Sequence, residues 1–263
     1  MSAKNYRNLF VVPILLLLGI ANGLTHYSFI SQNAIYYVWG KQLALMLVIM
    51  LMTVIGGRVI PMFTANGTNT KKVVPKQILE ITVLFSIGIL LIISITNTSE
   101  QISSNVMAWL YCSGAVLSAV RAIRWRPWLT LQAPIVWSLH AAYWFIPIGL
   151  LLYALHYWGF AISTSNASHS ITAGAMGSLI LAMITRVSLG HTGRKLVLHP
   201  IIKYAYCSVI IAALIRVFAG ILVPSYTMAS YELSASLWIF SYCCFVVCYW
   251  RILSAERVDG HLG

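Results

Sequence analysis

Apolar and polar positions fall in long blocks along this chain rather than alternating residue by residue. Eight runs are apolar almost throughout, at about 9–30, 41–60, 77–95, 106–123, 131–154, 169–189, 201–223 and 232–250. At ~1.5 Å rise per residue, such runs can cross the ~30 Å hydrocarbon core of a bilayer as helices. No strand-length alternation appears. Lipid demands that backbone polar groups be satisfied within the segment, which leaves helices as the fitting element. The predicted fold is all-α: a polytopic membrane helix bundle of about eight transmembrane helices, forming a single integral membrane domain over 1–263. The first run is too long for a signal peptide, and no small-residue cleavage site follows it. The longest loop, about 61–76, opens with the turn residues Pro61, Asn66 and Gly67 and then carries three lysines. The loop 155–168 is small and polar. Neither can fold alone, and there is no repeat or low-complexity segment.

Composition agrees with the pattern. Hydrophobic residues make up 60% of the chain and charged residues 8%, where a soluble domain carries about a quarter charged residues. The net charge of +12 changes the picture only through its placement. One set of alternate loops holds Lys4, Arg7, Arg58, Lys71, Lys72, Lys76, Arg121, Arg124, Arg126, Arg186, Arg194, Lys195, Lys203, Arg251 and Arg257. The other set holds Lys41, Glu100 and Glu232, and Arg216 lies within the seventh run. This is the positive-inside pattern, predicting both termini in the cytoplasm. Anionic headgroups account for the basic charge, so membrane lipid is an expected partner. Nucleic acid is not, since no soluble domain presents a basic face.

Five cysteines, Cys112, Cys207, Cys243, Cys244 and Cys248, all fall inside apolar runs, which argues against disulfides. Cys244 and Cys248 are spaced to share a helix face and could hold Cu(I), although buried cysteines also serve as small apolar fillers. The histidines call for a depth comparison, because ligands to one metal must meet at one level. With the termini inside, His26, His156 and His169 lie near the outer membrane face. His140 lies well in from the cytoplasmic end of the fifth run, and His191 at the cytoplasmic mouth of the sixth. His26 and His169 could share a centre, whereas His140 and His169 could not. An intramembrane histidine serves either as a ligand or as a hydrogen-bonded core residue. His156, His199 and His261 read as interfacial.

Small residues on the sixth run, Ala173 with Gly177 and Gly174 with Ser178, suit close helix packing or contact with a flat cofactor. Met176 and Met183 read as core. At the cytoplasmic helix ends, Arg58 follows Gly56 and Gly57, and Arg186 and Arg194 flank Gly190 and Gly193. Arginine there can meet helix carbonyls, phosphates or propionates, so Arg58, Arg186 and Arg194 are candidate cofactor-binding residues that could form one anion-binding mouth. Arg216 is near enough to the outer end to snorkel or to pair with Glu232.

Several segments together resemble the NnrS family. Gly56-Gly57-Arg58-Val59-Ile60-Pro61-Met62-Phe63-Thr64 is similar to its GGRVIP-x-FT signature. His169 to Gly177 is similar to its H-A-L-T-x-G-A-x-G segment, and Arg186 to Arg194 to its R-V-S-L-G-H-T-G-R segment. The tail from Arg257 to Gly263 resembles its terminal R-x-D-G-x-x-G. Trp137 and His140, ahead of Pro147 and Gly149, resemble its W-x-x-H and P-x-G pattern. The resemblance spans about residue 40 to the end. It implies a bacterial inner-membrane protein binding haem and/or copper and tied to nitric oxide and nitrosative stress, with His169, His26, His140 and His191 as candidate metal ligands. The family usually has about twelve spans. Residues from Arg7-Asn8 onward look like the middle of its pattern, so an N-terminal third with a W-H-x-H-E-like segment is expected to be missing, and a second chain supplying those helices is an expected partner.

The resulting expectation is an NnrS-type haem/copper protein that protects against nitrosative stress by binding rather than turnover. The alternative is a membrane carrier or channel for a small solute or metal, although neither broken helices nor inverted repeats are visible. A membrane nitric oxide reductase is weaker still, because none of the five acidic residues sits mid-span to deliver protons.

Overall fold

The computed structural model describes residues 9–260. Lys4, Arg7 and Asn8 and the tail residues His261, Leu262 and Gly263 lie outside the described residues. Eight helices within this range are long and apolar enough to cross a membrane. They run Val11–Ser31, Ala34–Thr68, Gln77–Thr96, Ser104–Arg124, Pro134–Tyr157, Thr164–His191, Pro200–Leu222 and Thr227–Leu253, and are called here the first to eighth helices. The protein is an all-α membrane helix bundle.

The ends of these helices are set by ordinary capping chemistry. Asn33 accepts a hydrogen bond from the Ile35 amide at the start of the second helix (3.0 Å), and Ser163 does the same for Asn166 at the start of the sixth (3.2 Å). Pro200 opens the seventh helix, where its missing N–H costs nothing. The first three helices stop at Gln32, Asn69 and Asn97, all in the left-handed region, where a backbone N–H returns to a terminal carbonyl.

Two helices depart from the hydropathy reading. The second runs to Thr68, past the Pro61, Asn66 and Gly67 read as a turn. Pro61 is buried inside it, and neighbouring helices make such a proline tolerable in lipid. At ~1.5 Å per residue its 35 residues reach about 50 Å, well beyond the ~30 Å core. The sixth begins at Thr164, so His169 sits in its second turn rather than at its start. Its segment Ser170–Gly177 is wound as a π-helix, a rare form that is frequently found at functional sites.

The fifth helix is the hub, packing on the second, fourth, sixth and seventh. It has the most buried membrane window, 72%, against 17% for the first helix and 22% for the eighth. The first helix is held chiefly by the second and presents Leu15, Leu16, Phe29 and Ile30 outward, as a lipid-facing helix would. Small residues close the hub. Phe145 occupies the space a Cβ on Gly174 would need, and Ile171 that of Gly149. At Gly174 the stripe on the sixth helix serves close packing against the fifth. The five cysteines are unpaired in disulfides.

At the end rich in cations, called the basic end, the tail folds back onto the turn after the sixth helix. The Val258 amide donates to the Thr192 carbonyl (3.3 Å). Arg257 grips Asp259 through two hydrogen bonds of 2.9 and 2.6 Å. The Asp259 carboxylate lies against Gly193, whose φ is +70° and whose missing Cβ would fall 2.5 Å from the carboxylate carbon. Gly193→Ala meets both a left-handed backbone and this carboxylate. Its expected cost is about 1–3 kcal/mol. Limited proteolysis should show it as faster clipping after Leu253, whereas Gly190→Ala, with open space around it, should leave the clipping rate unchanged.

Candidate functional site

His140 stands two turns into the fifth helix and is 3% exposed. Its Nε2 lies 2.7 Å from the Thr64 hydroxyl of the second helix. That hydroxyl donates its own proton to the Ile60 carbonyl at 2.9 Å, so it must accept from His140, and the imidazole carries its proton on Nε2. Nδ1 is then a bare lone pair, buried and without a hydrogen-bond partner. Leaving a buried acceptor unsatisfied costs about 1–3 kcal/mol. An imidazole held by one nitrogen and bare at the other is the arrangement of a metal-ligating histidine with its orienting partner.

The Trp125 ring meets His140 edge-on at 6.4 Å and Tyr143 at 4.6 Å. Tyr143 packs on Gly56, where a Cβ would come within 3.1 Å of its ring. Beyond Tyr143, at the basic ends of the third and fourth helices, lies a charge pair of a buried Arg121 and a half-buried Glu80. Arg121, 3% exposed, makes two hydrogen bonds to the Glu80 carboxylate, one of them the close contact between Nη2 and Oε2. Arg121 also donates to the Thr53 carbonyl (2.9 Å) and to the Tyr143 hydroxyl (3.4 Å). Gly57 leaves the room for this guanidinium: a Cβ there would lie 1.7 Å from Nη2. The paired glycines of the second helix thus serve Tyr143 and Arg121. Sequence reasoning placed Arg121 with the loop charges and missed the pair. The available signal was one acid and one base inside apolar runs that end on the same side.

The other candidate residues are dispersed. His26 is exposed on the first helix, which packs chiefly on the second. His169 belongs to the sixth, which packs on the second, fifth, seventh and eighth. The two share a level, and no hydrogen bond joins them among the described residues. His169 is already engaged: Nδ1 lies 2.7 Å from the Ser165 carbonyl, and Arg216 donates to Nε2 at 3.0 Å. Arg216 rests on the Tyr231 ring at 3.6 Å rather than on the Glu232 carboxylate. His191 is exposed at the last residue of the sixth helix. His156 bonds the Ile162 carbonyl (2.8 Å), in keeping with an interfacial role. The three arginines go to different neighbours. Arg58 lies over Phe10 at 5.1 Å, Arg186 over Phe63 at 3.6 Å, and Arg194 reaches the Ile252 carbonyl at 3.5 Å.

Among the described residues, no group of three His, Cys, Asp or Glu side chains is placed to hold a metal. His140 Nδ1 is therefore a single bare donor outside any side-chain cage of that kind. The profile of one protein family, described as NnrS protein, matches residues 1–257. It extends the resemblance read from about residue 40 back to the first residue. No curated protein and no solved structure matches the chain.

Proposed function

Because the chain belongs to the NnrS family, we propose that it is a bacterial inner-membrane protein of that type, binding haem and/or copper and acting in nitric oxide metabolism or protection from nitrosative stress. The bare, buried Nδ1 of His140 carries the reading on this chain's own residues. Bound there, such a group would supply a metal centre able to take nitric oxide. The chain's part is to present one oriented imidazole, with Thr64 fixing the proton on Nε2, and to keep water out with Trp125 and Tyr143. Imidazole suits iron and copper alike, and the lack of a side-chain cage favours haem, whose ring brings its own nitrogens.

This reading moves the ligand from His169 to His140, since His169 Nε2 is already used by Arg216. The deciding measurement is metal content and visible absorbance on equal amounts of folded protein. His140→Gln should lose the bound group, while His169→Ala and His156→Ala keep it. A full complement of metal in His140→Gln would sink the assignment.

In the proposed orientation the basic end faces the cytoplasm. Reporter fusions after residues 33 and 165 should read as periplasmic, and one after residue 72 as cytoplasmic. A cytoplasmic signal at 165 would reverse the orientation.

A further inference from the structure

Four helices bring polar side chains to one level at the end of the bundle opposite the basic turns. At ~1.5 Å per residue, Lys41, His169, Arg216 and Tyr231 lie roughly 6–11 Å in from the near ends of the second, sixth, seventh and eighth helices. The Arg216 guanidinium is half-buried. It is held in place by stacking on Tyr231 (3.6 Å) and by its bond to His169 Nε2 (3.0 Å). The His169 Nδ1–H is in turn donated to the Ser165 carbonyl, which leaves the imidazole neutral with Nε2 as acceptor. Lys41 stands on the second helix, which packs on the sixth, and its ammonium lies 5.7 Å from the Tyr37 ring.

No acid answers these two cations. The ion pairs among the described residues join Arg121 to Glu80 and Arg257 to Asp259. Glu232, adjacent to Tyr231, is exposed and outside any pair. A cation at membrane depth is costly without a counter-charge. Snorkelling would relieve that cost, but Arg216 is anchored to two neighbours instead. Its fork has five N–H donors, and one of them is used on His169.

We propose that Arg216, supported by His169 and Lys41, binds an oxyanion of the phosphate class at this end of the bundle. Arginine meets such a group through parallel N–H donors, and lysine adds a point charge. The phosphate comes either from the headgroup of an anionic lipid or from solution. The site is separate from His140 and does not depend on a metal being bound there.

The test uses the purified full chain, stripped of lipid in detergent. Native mass spectrometry follows retention of phosphatidylglycerol against phosphatidylcholine, and calorimetry follows inorganic phosphate. Wild type should bind one of the two anionic probes, the lipid if the source is a headgroup and inorganic phosphate if it is free. Arg216→Gln should weaken that binding by about tenfold or more, and Lys41→Gln by severalfold. Arg216→Lys should fall between wild type and Arg216→Gln. If Arg216→Gln does not fold, the exposed Lys41→Gln variant carries the test. The proposal is overturned if wild type binds neither probe, or if every folded variant binds as wild type does.

Discussion

Gly57→Ala is expected to destabilise the protein about as much as removing the Arg121 side chain. The added Cβ would stand 1.7 Å from Arg121 Nη2. An arginine tip could ordinarily move aside, but this one is pinned by Glu80, the Thr53 carbonyl and the Tyr143 hydroxyl, and it lies over the Trp125 ring at 5.3 Å. Moving it strains hydrogen bonds made by a buried guanidinium to a half-buried carboxylate, at a cost of about 1–3 kcal/mol. Thermal unfolding in detergent checks this, with Gly23→Ala as the control. Nothing lies within 4 Å of a Cβ at Gly23, so that change should be neutral or mildly stabilising. In an Arg121→Leu background the Gly57→Ala penalty should largely vanish, because its cause has been removed. An undiminished penalty there would place the cost in the backbone rather than in the guanidinium.

The second large effect is on metal retention. His140→Gln removes the imidazole and with it the proposed bond. Thr64→Val keeps the shape of the threonine and removes only the acceptor for Nε2–H. The ring then has two unsatisfied nitrogens and no fixed tautomer. Loss of such an orienting partner typically costs 10–100-fold in metal affinity, and Thr64→Ser, which keeps the hydroxyl, should restore most of it. Competition with a chelator at fixed protein concentration reads the difference. Equal retention in Thr64→Val and wild type would mean that the hydrogen bond to Thr64 does not tune a ligand.

Much of the fold was legible because lipid leaves few alternatives. Long apolar blocks in this setting can only be helices, and their ends fell close to Asn, Gln, Ser and Pro caps. The length of the second helix was not legible, since Pro61 and Gly67 look the same in a turn and in a helix braced by neighbours. Nor was the π-wound stretch at Ser170–Gly177, whose composition is that of any small-residue helix. At the candidate site, the histidines could be sorted by level but not by direction. Level is one coordinate of three: it puts His26 beside His169, but it does not show that His26 is exposed on a helix held chiefly by the second. Arg58 drew attention by its glycines, yet those glycines make room for Tyr143 and Arg121, residues brought in from two other helices. Likewise His169 looked free to bind a metal because nothing local shows that Arg216, on the next helix, reaches its second nitrogen.

The tail on the turn at Gly193 has a consequence for the order of assembly. Residues 257–260 emerge from the ribosome only after both the seventh and eighth helices have been made, and they close on a turn finished two helices earlier. The contact between Val258 and Thr192 can therefore form only when those helices have entered the membrane and returned the chain to its starting side. That contact thus joins the last residues of the chain to a turn formed two helices before them, and it registers the completed bundle.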